Sequence, residues 1–273
     1  MIKLLINTKC ILGESPRWCK KTNSLFFVDI LDCKIYRYEF NKKRLTYRKY
    51  ESIIGNIDID NNGKLIVAFE KEIAYIDFMK NTKQIIISLD DDLLSNRPND
   101  GKLDPQGRYW FSTMNKDEVS NTGKLWRLHN KEKKMMSENF IIGNGIDWDM
   151  QYKKMYFTDS VKKQILIFDY DLGKGEISNK RIFYKYSGEG VPDGLTVDTN
   201  GNIWSAIFGG SKIIKINSFG KIIQSIKLPV PNPTSLIVID KNIYVTTAKH
   251  KLSKNEHNDY SQSGAVFQIL LNQ

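Results

Sequence analysis

Apolar and polar positions alternate in short bursts along this chain, and the bursts recur in a fixed order. The clearest copy runs from Val191 to Trp204, Val-Pro-Asp-Gly-Leu-Thr-Val-Asp-Thr-Asn-Gly-Asn-Ile-Trp. A short apolar strand over 195–197 reverses through Asp198-Thr-Asn-Gly and returns as a second strand over 202–207. Asn-Gly between β-forming residues is a strong local signal for a hairpin. Asp60-Asn-Asn-Gly-Lys-Leu-Ile-Val and Asp104-Pro-Gln-Gly-Arg-Tyr-Trp-Phe repeat the pattern, and Asp149-Met-Gln-Tyr-Lys-Lys-Met-Tyr-Phe lengthens it. Cys19-Lys-Lys-Thr-Asn-Ser-Leu-Phe-Phe and Asp240-Lys-Asn-Ile-Tyr-Val are degenerate copies.

The turn residues fall at 19, 60, 104, 149, 198 and 240, with gaps of 41, 44, 45, 49 and 42 residues. Six units of that length predict an all-β fold, a six-bladed β-propeller of four-stranded antiparallel blades. Third strands are predicted over 34–40, 72–78, 124–128, 164–170, 212–217 and 265–271. Fourth strands follow over 45–50, 84–89, 134–138, 181–186 and 222–228, the third of these weak in pattern. The sixth unit runs out of chain, and a strand over 2–7 can supply its missing edge and close the ring. The even cadence leaves no linker, so 1–273 is expected to be a single domain.

Composition narrows the functional classes. A hydrophobic share of 41% with 13 Phe, 13 Tyr and 5 Trp suffices for a packed core, and no apolar run is long enough to span a bilayer. The N-terminus lacks the apolar core and cleavage site of a signal peptide, and three cysteines (Cys10, Cys19, Cys33) show no zinc spacing. Reduced thiols in a cytoplasmic protein are the expectation. The net charge of +10 comes from lysines scattered over every unit rather than from a stripe, so neither a nucleic-acid nor a membrane partner is expected. The lysine-rich strands also favour a monomer.

Candidate chemistry sits at one register. The residues five before each turn are Glu14, Gly55, Asn99, Asn144, Asp193 and Ser235. In a propeller these positions converge on one mouth of the central channel. Two carboxylates and two carboxamides gathered there repel, or lack partners, unless a cation lies between them. Such oxygen ligands suit Ca²⁺, Mg²⁺ or Mn²⁺, and Zn²⁺ can also be held by carboxylates. The three histidines do not make a zinc site; His129 is expected on the surface, whereas His250 can reach the mouth.

These residues carry a resemblance. Gly13-Glu14-Ser15-Pro16-Arg17-Trp18, Arg97-Pro98-Asn99-Asp100-Gly101-Lys102, Ser112-Thr113-Met114, Asn144-Gly145, Tyr156-Phe157-Thr158-Asp159-Ser160 and Pro192-Asp193-Gly194 occur in order over nearly the whole chain. Together they resemble the senescence-marker-protein/regucalcin/gluconolactonase family, which includes insect luciferin-regenerating proteins. The resemblance implies one divalent ion, Ca²⁺ or Zn²⁺ above all, and hydrolysis of sugar (aldono-) lactones such as gluconolactone. It implies Glu14, Asn144 and Asp193 as metal ligands, with Asp193 as acid/base. It also implies Arg97, Asn99 and Asp117 as substrate-binding residues.

Two departures bear on substrate choice. The family's Phe-Gly-Gly before the last blade's second strand is replaced by Ser235-Leu-Ile-Val-Ile-Asp-Lys-Asn. An acidic pair after Thr113-Met114 is replaced by Asn115-Lys116-Asp117-Glu118, so Glu118 competes with Asp117. Asp100 is expected to bond backbone at its own turn, and Asp159 to line the mouth in a supporting role. The rival functions are a non-catalytic calcium- or ligand-binding propeller, a metal-dependent esterase or phosphotriesterase on the same scaffold, and an interaction propeller with an empty channel.

Overall fold

The computed structural model describes residues 1–89, 95–151 and 153–271. Strand β1 (Ile2–Ile6) is followed by six runs of β-structure. Blade one is β2 (Gly13–Cys19), β3 (Ser24–Asp29), β4 (Lys34–Glu39) and β5 (Arg44–Lys49). Blade two is β6 (Ile54–Ile59), β7 (Leu65–Phe69), β8 (Glu72–Asp77) and β9 (Thr82–Ser88). Blade three is β10 (Asn96–Leu103), β11 (Tyr109–Asn115), β12 (Gly123–His129) and β13 (Glu132–Phe140). Blade four is β14 (Gly143–Asp149), β15 (Lys154–Asp159), β16 (Gln164–Asp171) and β17 (Glu176–Lys185). Blade five is β18 (Val191–Val197), β19 (Ile203–Phe208), β20 (Lys212–Ile216) and β21 (Ile222–Lys227). Blade six has β22 (Pro233–Ile239), β23 (Asn242–Thr247) and, after the short helix α1 (Lys254–Asp259), β24 (Val266–Leu270).

Every sheet is a four-stranded antiparallel meander, and β1 completes the sixth by pairing with β24, Ile2 opposite Ile269. The fold is therefore a six-bladed propeller closed by its N-terminal strand. Each innermost strand touches the next around the axis, and β22 meets β2. Closure leaves no sheet of the ring short of an edge strand.

Burial explains the layering. Inner strands such as β14 are buried at every residue, whereas outer strands such as β5 expose most of theirs. The core lies between blades. Among the described residues six apolar clusters form, one in each gap, as where Trp110 and Phe140 of blade three meet Trp148 and Phe157 of blade four. Blades packed face to face bury apolar surface on both sides, which is why second strands such as β7 (Leu-Ile-Val-Ala-Phe) read as apolar runs rather than alternations.

The outer strands β13 and β17 extend beyond the predicted 134–138 and 181–186, reaching Glu132–Phe140 and Glu176–Lys185. Their mostly exposed, charged faces weaken the apolar alternation that marks strand ends in a sequence. The expected reversal at Tyr152 lies outside the described residues. Cys10, Cys19 and Cys33 are free thiols, and no described helix is long and apolar enough to cross a membrane.

Candidate active site

All six inner strands break their hydrogen-bond ladder at the same place. The pairing slips between Glu14 and Arg17, Ile54 and Asn56, Pro98 and Gly101, Asn144 and Ile146, Pro192 and Leu195, and Pro233 and Ser235. An extra residue in one strand bends it and re-aims its side chains. Repeated six times about an axis, the slip turns the start of each inner strand into the channel. Crowding there demands glycine. A Cβ on Gly145 would lie 2.8 Å from the Asp193 carbonyl oxygen, and one on Gly194 would strike the Ser235 side chain.

Glu14, Asn99, Asn144 and Asp193 meet at a cavity of about 120 Å³, each no more than 8% exposed. Arg97 joins them, with Leu12, Met114, Ile142 and Phe208 as the apolar wall. Gly55 and Ser235 share the register but do not line the cavity. Asn99 donates from Nδ2 to the Gly143 carbonyl at 2.9 Å and accepts from Arg97 Nη1 at 3.1 Å. Arg97 Nη1 also donates to the Pro98 carbonyl at 3.0 Å. Asn144 Nδ2 donates to Ser160 Oγ at 3.2 Å, and Glu14 Oε2 accepts from the Ser15 amide at 2.8 Å.

The two carboxylates are held under electrostatic stress. Burial, then the nearby charge of Asp100, pushes Glu14 up to about 8, against weaker help from the Ser15 amide, Arg17 and Arg97. Burial, then Glu14 and Asp100, lifts Asp193 well above the usual carboxylate range. Water has been stripped from both groups, and the protein supplies few donors in exchange. A divalent cation would supply the missing charge. Among the described residues no three His, Cys, Asp or Glu side chains gather at one point. An ion here would rest on Glu14, Asp193 and the Asn144 amide, an oxygen-rich set suited to hard cations.

Beneath the cavity, Asp100 accepts from the Gly101 amide at 2.7 Å, as its turn role requires, while burial raises its own proton affinity. Arg17 stands 3.7 Å from Asp100 and 3.3 Å from Asp58, a buried cation paired with buried carboxylates.

Two placements differ from the expectations. Asp117 is exposed and does not line the cavity; Glu118 does. The Asn115 carboxamide accepts from the amides of Val119 and Ser120, and Glu118 takes a left-handed φ of 58° that turns it back inward. Asp159 is fully buried away from the cavity and pairs with Lys162 at 3.1 Å, so its neighbour Ser160 is the residue that faces the cavity. His250 reaches the mouth and brings Lys251, which sequence reasoning missed. Both sit on a connection between β23 and β24 that carries no repeat signal.

Comparison with known proteins places this geometry. The SMP-30/Gluconolactonase/LRE-like region matches residues 12–249, and the chain belongs to that family. Regucalcin of Xenopus laevis is 30% identical over 279 residues, covering 98% of this chain and 93% of its own. A solved luciferin-regenerating enzyme superposes with a TM-score of 0.91 at 31% identity, covering 99% of this chain and 95% of its own. A calcium-binding regucalcin of Agrobacterium tumefaciens shares the fold with a TM-score of 0.93 at 21% identity, covering 97% of this chain and 92% of its own.

Proposed function

We propose that the protein is a divalent-cation-dependent lactonase that opens sugar (aldono-) lactones. One observation carries the reading. Two desolvated carboxylates, Glu14 and Asp193, stand beside Asn144 in a cavity that the Arg97 guanidinium and the Asn99 amide also line. Membership of a family named in part for gluconolactonases supports it.

A divalent ion held by Glu14, Asn144 and Asp193 would polarise the lactone carbonyl and stabilise negative charge developing on it. Asp193 takes a proton from the attacking water and returns it to the ring oxygen as the ring opens. Arg97 donates to substrate oxygens, and Asn99, its Nδ2 already committed to Gly143, accepts through Oδ1. Glu118, rather than Asp117, provides the second acceptor for a sugar hydroxyl. Met114, Ile142 and Phe208 limit water at the reacting face.

The test is hydrolysis of glucono-δ-lactone by the Ca²⁺-, Mn²⁺- or Zn²⁺-loaded protein, with chelator and with Asp193→Ala as controls. Rates that depend on both the ion and Asp193 support the proposal. Ion binding without turnover of any lactone in a panel would instead make it a non-catalytic calcium-binding propeller. Turnover of paraoxon-type esters but not lactones would make it an esterase on the same scaffold.

A further inference from the structure

Not all of the cavity's charge is explained by a neutral sugar lactone. Arg97 lies in the wall with its Nη1 on two neutral oxygens, Pro98 O at 3.0 Å and Asn99 Oδ1 at 3.1 Å. Among the described residues no carboxylate comes within ion-pair distance of it. Burial pulls its pKa down, and Glu118, Glu14 and Glu70 offset this only from a distance. A half-buried guanidinium without a counter-ion is costly and is retained where a ligand supplies the charge.

A second cation enters from the far side of the ring. Lys251, on the connection from β23 to β24, donates from Nζ to Glu118 of blade three and so spans the mouth. Its backbone adopts a left-handed φ of 65°, an unfavourable conformation for a residue with a Cβ. His250 precedes it in the lining and feels both cations; burial, then Lys251, with Arg97 adding, depresses its pKa. Arg97 from blade three and His250 and Lys251 from beyond β23 thus bring nitrogen to the mouth from opposite sides of the ring. Once a divalent ion offsets Glu14 and Asp193, the remaining lining holds two fixed cations against Glu118 alone.

We propose that the site selects lactones carrying an anionic group, a carboxylate or phosphate, at the end of the molecule remote from the lactone carbonyl, gripped between Arg97 and Lys251. This rests on the lactonase reading and narrows its substrate class. The anion displaces Glu118 from Lys251 and gives Arg97 its counter-ion. A net charge of +10 adds long-range attraction for such substrates at low salt.

The experiment compares kcat/KM of the ion-loaded protein on glucono-δ-lactone, a glucaro-1,4-lactone and 6-phosphoglucono-δ-lactone. The two charged probes separate carboxylate from phosphate. We expect at least one charged lactone to lead the neutral one by about tenfold or more at low ionic strength. Lys251→Met should cut that ratio by about tenfold, Lys251→Arg should hold it within about threefold, and added salt should shrink it. A neutral lactone that equals both charged ones, or a ratio unmoved by Lys251→Met, overturns the proposal. If no lactone is turned over, the lactonase reading fails by itself, and calorimetric binding of gluconate, glucarate and 6-phosphogluconate then decides the anion preference. Tighter binding of glucarate or 6-phosphogluconate than of gluconate that Lys251→Met abolishes upholds it; equal binding in both proteins rejects it.

Discussion

Asp104, at the turn of blade three, and Asp193, five residues before the turn of blade five, are both buried carboxylates, and their surroundings could hardly differ more. The Asp104 side chain is fully enclosed and accepts from the amides of Gln106 and Arg108 at 2.9 and 3.0 Å, from Arg108 Nε at 2.6 Å, from Trp110 Nε1 at 3.0 Å and from the Tyr170 hydroxyl at 2.7 Å. Arg108 in turn donates to Tyr170 and to the carbonyls of Leu172 and Gly173, tying blade three to blade four. Asp193 has nothing of the kind. Among the described residues the Asn144 amide is its one side-chain donor, and Glu14 and Asp100 oppose its charge. Burial does not separate a structural carboxylate from a functional one; the supply of donors does.

The sharpest way to break the contrast is to remove each carboxylate and ask what is lost. Asp193→Asn should lower lactone kcat by roughly a thousandfold, as loss of an acid/base group does. The same variant should melt no lower than wild type without added ion, because a desolvated charge has gone. Asp104→Ala should do the reverse. Removing the charge from a buried pair strands Arg108 and is expected to destabilise by about 3–5 kcal/mol, read by denaturant unfolding, while activity per folded molecule stays close to wild type.

The pH dependence of ion binding tests the same difference without mutation. Glu14 has its folded pKa raised, so its contribution to ion-free stability is complete below the ordinary carboxylate value of 4.5 and is lost as pH rises through about 8. A cation must displace that proton, so Ca²⁺ affinity should increase between pH 6 and 8, by up to about tenfold per unit for each proton released. Thermal melts with and without Ca²⁺ at the two pH values read it, and a flat difference would show that Glu14 is ionised before the ion arrives. The smallest effect separates two adjacent acids. Glu118→Gln should raise lactone KM several-fold, whereas Asp117→Asn, at an exposed position, should leave it within about twofold.

The ring was legible because each blade restates the same turn. Asp60, Asp104 and Asp198 each accept amides two and four residues on, so the reversal is written in local chemistry. The site register was legible for a related reason, since the ladder slip recurs at one place in all six inner strands. What escaped was whatever the repeat does not control. One residue of turn geometry decides between Asp117 and Glu118, and the backbone sign of φ at Glu118 is not a feature of composition. His250, Lys251 and α1 lie on a connection with no counterpart in the other blades, where only the tertiary fold says which side chains face inward. Asp159 was misjudged because a strand-end acid beside the mouth reads the same whether it points to the cavity or to Lys162.

The pairing of β1 with β24 brings the Met1 amine within 3.3 Å of the Leu270 carbonyl. A few added residues could therefore splice the two ends, and the polypeptide could be reopened at an exposed inter-strand corner, such as the one at Gly63. Such a permuted chain should refold to the same molecule, because a wheel whose rim is sealed by its own first strand has no privileged starting spoke.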